Sequence, residues 1–490
     1  MPFPILSVTI FTPLLAGLII LLLPAGRKSE VKVTALAAAS LSLLLSIWVY
    51  FSYNVAAGGY QLQEHMAWLP ALGISYSLGI DGISAPMVLM AGIVVFCGVL
   101  ISWGVEDRPR EFFAFLMFLA ASVFGVFCSL DLFLLFFFFE VAVFPKYIMI
   151  AVWGWPKTRE YGAMKLTLYL FIGSVVALIG VLAMYFAAGQ HSFDMLVLEK
   201  AGLSAEFQRA WFPVVFLGFA ILAGIFPFHS WAPDGHVAAP TAISMLLAGV
   251  EMKVGAFAAL RVAITLLPEG ARAWAWAILV LATINVVYGA AIAMVQTDFK
   301  YVIGFSSVSH MGLVLMGFAS LNREGLLGAG MQMFSHGVMT ALFFAVVGMV
   351  YDRAHTRDIA RLGGMYKKMP WAATGFIIAG LVSMGMPGFS GFTAEFPIFM
   401  GVWQAAPIVA IISAVGVILT AAYILRVVGK VFFGPVPAEL ETTVGDITVL
   451  DKIAIGLLAV IMVAIGVFPG LMSPVVQSGV ERILHVLGGA

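Results

Sequence analysis

Charge is scarce in this chain. Only 10% of its residues are Asp, Glu, Lys or Arg, against about 25% in a typical soluble domain, so a water-exposed surface cannot be covered. The 25 basic and 25 acidic residues cancel, and net charge points to no nucleic-acid partner. Cysteine is scarcer still. Cys97 and Cys128 both fall in apolar runs and read as packed thiols. That excludes a disulfide framework and a cysteine-based metal site. No GxGxxG, Walker-type loop or CxxC occurs, and no polar stretch is long enough to fold a cofactor-holding soluble domain.

Apolar residues are what is abundant. They make up 62% of the chain, and they come in runs of about 20, each long enough to cross a hydrocarbon core of about 30 Å. A β-barrel would need short alternating strands, and these runs are long and unbroken. The chain is therefore expected to be an all-α polytopic membrane protein. Its spans fall near 3–23, 31–53, 83–103, 111–129, 131–153, 163–187, 211–228, 240–264, 273–295, 301–319, 326–350, 371–403, 406–430 and 449–470, which makes about 14 transmembrane helices. The N-terminal run lacks a basic flank and a small-residue cleavage site and reads as the first span. Segment 54–80 is the nearest thing to an extramembrane element, and 475–490 is expected to be a short amphipathic tail.

Alternating the loops puts fourteen Lys and Arg residues on one side, from Arg27 to Lys430, and five on the other: Lys200, Arg209, Arg272, Arg323 and Arg482. By the positive-inside rule both termini are expected on the outer side of a bacterial cytoplasmic (inner) membrane.

Two spans are interrupted. The seventh runs into FPFHSWAPDGH, with Pro227 and Pro233, and the twelfth contains MGMPGFSGF, with Pro387. Broken helices at membrane depth survive only where protein or a wet cavity surrounds them. Matching breaks in two halves point to inverted repeats. Spans 4–8 and 9–13 would be two inverted five-helix repeats with broken helices 7 and 12. The expected divisions are 1–110 for the first three helices, 111–265 and 266–432 for the repeats, and 433–490 for the last helix and tail.

Ionisable residues within the spans are the functional candidates, because a charge at the bilayer centre costs a few to more than ten kcal/mol. Glu140 ends the run LFLLFFFFE, well inside the helix start that Asp131 marks. Lys146 follows Pro145 and could snorkel to the interface or pair with Glu140 or across the bundle. Six residues on an ideal helix turn by about 240°, so Glu140 and Lys146 would share a face only if Pro145 kinks the helix. Lys253 lies near mid-span, where a desolvated lysine can act as a reversible proton carrier. Glu251, two residues away, points to a different face and either tunes that site or partners another helix. His229 and His236 flank the first break, as proton relays or as partners of freed backbone. His310 and His336 lie in separate spans, each with serine nearby. Glu395 lies just past the second break, and Lys300 at the start of span ten could be an interfacial anchor. No metal-ligand cluster surrounds any histidine.

Four stretches carry a resemblance: FFFFEVAVFPKY, FPFHSWAPDGHVAAPTA, MVQTDFKYVIGFSSVSHMG and MGMPGFSGFTAEF. Together with YDRAHTRDIARLGGMYKKMP, they resemble the antiporter-like subunits of respiratory complex I, most of all subunit M, the chain-4 type. The resemblance covers about 80–460. It implies fourteen helices, two inverted repeats and a part in redox-driven proton pumping by an NADH:quinone oxidoreductase. FMN, iron–sulfur clusters and quinone would lie in partner subunits and none in this chain. Adjacent antiporter-like subunits and lipids are the expected partners, and nucleic acid is not. Glu140 matches the family's fifth-helix glutamate, Lys253 its eighth-helix lysine and Glu395 its twelfth-helix carboxylate, and His310 and His336 match its central polar axis. One position departs: Leu222 stands where a seventh-helix lysine is expected. Lys146 is then expected to supply the missing cation to Glu140. The alternatives are an Mrp-type cation/proton antiporter or hydrogenase-linked subunit, and a structural subunit that no longer pumps.

Overall fold

The computed structural model describes residues 3–488. It contains thirteen helices long and apolar enough to cross a membrane. They are span 1 (Ile5–Leu22), 2 (Lys28–Ser52), 3 (Ser84–Gly104), 4 (Pro109–Cys128), 5 (Leu132–Trp153), 6 (Arg159–Ala187), 7 (Ala205–Ala223), 8 (Thr241–Ile264), 9 (Pro268–Val295), 10 (Phe299–Ala319), 11 (Arg323–Ala354), 13 (Pro407–Phe432) and 14 (Val449–Val467). Span 12 is two shorter helices, Pro370–Ser383 and Ser390–Ala405, so the fourteen expected crossings stand with one divided.

The spans sort by burial. Spans 8 and 11 are wholly buried and span 10 is 94% buried, whereas spans 1, 2, 6, 9, 13 and 14 bury only 39–44%. The outer helices therefore turn an apolar side outward, as lipid contact requires. The three central helices carry Glu251, Lys253, His310, Gln332 and His336, so the polar residues sit where lipid does not reach.

Both breaks lie where the prolines place them, and each is hydrogen-bonded internally. Span 7 ends at Gly224, whose φ of +82° is left-handed and suits glycine. Asn285 on span 9 then holds the loose backbone. Its amide donates to Gly224 O at 2.7 Å, and its oxygen accepts from Phe226 N at 2.5 Å. The short helix Trp231–Ala238 follows. In span 12 the chain turns through Gly385 and Gly388, at φ +64° and +90°.

One β-hairpin is set into the helical fold. Residues 61–69 and 74–80 form an antiparallel hairpin, β1 (Gln61–Leu69) and β2 (Ile74–Ile80). The strand signal was present in the alternation of ISYSLGI, and Gly73, at φ +67°, makes the turn. The hairpin caps one helix start and braces the cap of another, where the first N–H groups have no partner within the helix. Glu64 accepts from Leu6 N at 2.8 Å and Ser7 N at 3.1 Å. Asp131 accepts from Phe133 N and Leu134 N at 2.9 and 3.1 Å, and from Ser75 N at 2.9 Å.

Asn285→Ala leaves Phe226 N–H and Gly224 C=O without these partners. It should destabilise the chain by about 1–3 kcal/mol for each orphaned group. Thermal unfolding of the purified assembly, with the half-buried Thr283→Ala as control, measures this. Equal midpoints for the two variants would remove Asn285 from this role.

Candidate functional site

Lys146 is not paired with Glu140. Its ammonium donates to Glu251 Oε2 at 2.8 Å, and both side chains are 1% exposed. The expected Lys146–Glu140 pair is thus replaced by one between spans 5 and 8. The lysine comes from beyond a helix irregularity at Ala142, where Leu132–Val141 gives way to Val143–Trp153. Glu140 is half-buried, with Oε1 enclosed and without a partner. Leu222 packs against span 8, and a Cβ on Gly255 would stand 2.8 Å from its Cβ. This position is filled by apolar contact.

Span 8 carries the central charges. Residues Leu247–Glu251 and Ala259–Ile264 form wide π turns on either side of Met252–Ala258, a distortion frequent at functional sites. Lys253 is fully buried, and its ammonium donates to Ala248 O. Among the described residues no carboxylate lies within ion-pair distance of it.

A connected cluster fills the space beside the second break. His310 and His336 stack at 5.3 Å between ring centroids, with planes 10° apart. His310 Nδ1 lies 2.8 Å from Ser306 O, and its Nε2 lies 3.1 Å from Ser383 O and 3.6 Å from Glu395 Oε1. The broken helix thus supplies a carbonyl to the histidine. Gln332 donates to Glu395 Oε1 at 3.1 Å. The chain order is not the spatial order: His310, not His336, touches the acid. Both nitrogens of His336 are buried without partners, as are both of His236. His336 lies in the electrostatic field of Lys253, His310 and His236, and His236 in that of Lys300.

Lys300 is 6% exposed and donates to Ala239 O at 2.6 Å, so it is no interfacial anchor. It lines a cavity of about 750 Å³ that also takes in Trp103, Trp155, Asp352, Arg357 and Asp451. All these residues come from span ends that the alternation of loops puts on the basic side. His229 stands apart from the axis, packed on Phe226 and Tyr288 at 5.7 and 5.3 Å.

Sequence reading missed Gln332, Ser383 and the ion pair Arg261–Asp81 at 2.8 Å. Gln332 was findable, because it lies four residues before His336 and shares its face.

Gly385→Ala would place a methyl 2.9 Å from Glu395 Oε2 on left-handed backbone. Left-handed strain alone should cost about 1–2 kcal/mol. A lowered thermal midpoint of the assembly is the expected result, and an unchanged one would refute this packing of Glu395.

Comparison with known proteins accords with this fold. The family described as NADH:quinone oxidoreductase/Mrp antiporter, TM, matches residues 129–420. NADH-quinone oxidoreductase subunit M of Rhodobacter capsulatus is 35% identical over 98% of this chain and 96% of its own length. NAD(P)H-quinone oxidoreductase chain 4 of Gloeobacter violaceus is 35% identical over 99% and 93%. A chain of respiratory complex I from Thermus thermophilus superposes with TM-score 0.91 at 30% identity, over 99% of this chain and 100% of that one. One of the Mrp complex from Dietzia sp. has TM-score 0.87 at 20% identity, with coverage of 99% and 100%, a likeness of fold. The chain belongs to the NADH:quinone oxidoreductase/Mrp antiporter transmembrane family.

Proposed function

We propose that this chain is a proton-translocating membrane-arm subunit of a complex I-type oxidoreductase that passes electrons from NADH, or another donor, to quinone. The observation that carries the reading is the buried row of exchangeable groups. It runs from Lys300, which lines the cavity, through His236, Lys253, His336 and His310 to Glu395. Each is fully or almost fully enclosed, and the row spans both halves of the chain. Its members can gain and lose protons, and no covalent step is needed. Glu140, half-buried on span 5, would be the acid that faces a neighbouring subunit.

The driving reaction belongs to partner chains, with FMN, iron–sulfur clusters and quinone held there. Adjacent antiporter-like subunits would sit on either side in the bacterial cytoplasmic membrane, with both termini outward. Buried groups of this kind move protons only when their charge balance is disturbed. A nearby opposite charge favours the ionised form of each, and its withdrawal disfavours it. Conformational change in a partner supplies that disturbance.

Two inverted repeats, spans 4–8 and 9–13, would frame the row, and matching joints support them. Asp131 caps span 5 and bridges to Asp194 after span 6, while Asp298 caps span 10 and bridges to Asp358 after span 11. The two isolated bridges share one pattern: Leu132 N donates to Phe193 O and Phe299 N to Arg357 O, each at 2.8 Å.

An Mrp-type cation/proton antiporter subunit is the second reading, favoured by the fold shared with the Dietzia complex. The identity to subunit M relatives over nearly the whole chain favours the first.

Lys253→Met, Glu395→Gln and Glu140→Ala should each strongly reduce proton pumping coupled to quinone reduction by the intact complex in sealed vesicles. Electron transfer measured in the presence of an uncoupler should persist. Full pumping by all three variants would overturn the reading.

A further inference from the structure

The cavity beside Lys300 holds one charge that the fold leaves unpaired. Its wall joins the basic-side ends of spans 3, 4, 5, 8, 11 and 14 to the start of span 10, and it is open to solvent. Its volume of about 750 Å³ far exceeds the roughly 10–15 Å³ that one water needs. Most charges on this wall are engaged. Arg353 meets Asp451 at 3.2 Å, and Asp451 also accepts from Thr448 N at 2.9 Å at the start of span 14. Arg357 meets Asp298 at 3.2 Å and donates to Val237 O at 3.0 Å. Lys300 donates to Ala239 O. Asp352 differs. It is exposed on the last turn of span 11, and among the described residues no cation lies within ion-pair distance of it. A carboxylate there faces the negative end of the helix dipole, so helix capping does not account for it. The charged and titratable groups acting on it are Arg353 and His355 from its own segment, Lys300 from span 10 and Asp451 from span 14. Lys300 in turn lies in the field of Arg357, Asp298 and Asp352.

We propose that Asp352 is the proton-collecting group of this chain, and that water in the cavity carries its proton to Lys300. The carboxylate of Asp352 takes a proton from water on the side of the basic loops and becomes a neutral acid. It passes that proton along cavity water to Nζ of Lys300 in its amine form. Lys300 becomes an ammonium and Asp352 a carboxylate again, so each transfer leaves the collector ready for the next. The two side chains need no direct contact, because waters bridge polar groups well. The division of labour follows from exposure. Asp352 stays in exchange with bulk water, whereas Lys300 is almost fully enclosed and begins the buried row. Asp451, held by Arg353 and by its own helix start, is not free for this part. The proposal rests on the proton row argued above, whose first member is Lys300.

The test compares Asp352→Asn, Asp352→Glu and Lys253→Met in the intact complex, in sealed vesicles with the basic side outward. Glu439→Gln is the control, since Glu439 is an exposed acid of the same side that pairs with Arg361 outside the cavity. The readout is the initial rate of proton translocation during quinone reduction, across a pH series. A collector predicts that Asp352→Asn is slower than wild type and that the deficit widens as pH rises and free protons become scarce. Asp352→Glu and the control should match wild type. Wild-type rates for Asp352→Asn at every pH, with Lys253→Met impaired, would overturn the collector and leave the proton row standing. Wild-type rates for Lys253→Met as well would remove both. A deficit that does not change with pH marks a structural role and also overturns the proposal. If Asp352→Asn does not assemble, Asp352→Cys modified after assembly decides the matter. Cys97 and Cys128 are buried, so the new thiol is the one a reagent reaches in this chain, and wild-type complex treated alike sets the baseline. A carboxylate-bearing methanethiosulfonate should restore the rate and a trimethylammonium-bearing one should not. Equal restoration by both, or by neither, would contradict the collector.

Discussion

A polar or charged group inside a membrane must find its partner within the protein, and this constraint organises the whole chain. It separates the helices into outer spans with an apolar lipid face and three central spans that no lipid touches. It confines the breaks in spans 7 and 12 to places where Asn285 and His310 can bond the freed backbone. It also leaves a short list of ionisable groups deep in the bundle, each kept at a cost of several kcal/mol. Groups retained at that cost without matching hydrogen bonds, such as His336, His236 and Glu251 Oε1, are difficult to explain as structural fittings.

Much of this was legible before any coordinates. Long apolar runs identify spanning helices because hydrocarbon thickness fixes their length, and prolines locate the breaks because they cannot donate a backbone hydrogen bond. Glu140, Lys253 and Glu395 stood out because a charge in an apolar run is rare. What escaped the sequence was pairing. Lys146 and Glu251 are 105 positions apart, and nothing local selects Glu251 over Glu140 as the partner. The spatial order of the histidines escaped for the same reason, since helix packing, not chain order, sets His310 against Glu395. The hairpin at 61–80 went unread because its strands are short beside the helices that dominate the composition.

The fold serves two kinds of machine. The same helical frame occurs in a redox-driven complex and in the Mrp complex, so the helices themselves do not choose the energy source. Under the proposed function, this chain contributes a buried line of titratable groups whose charge balance a neighbour disturbs. Its particular feature is the placement of a lysine on span 5 and a glutamate on span 8, where an apolar residue, Leu222, occupies span 7. The buried Lys–Glu pair thus joins spans 5 and 8, where the family resemblance implies spans 5 and 7.

The central claim is that the enclosed groups from Lys300 to Glu395 form one hydrated conduction line. An experimental density map of the intact complex, at a resolution that places water molecules, tests it most directly. Ordered waters linking Lys300, His236, Lys253, His336 and the His310–Glu395 contact are the expected result. Close-packed apolar side chains filling the space between Lys253 and His336, with no room for water, would contradict it.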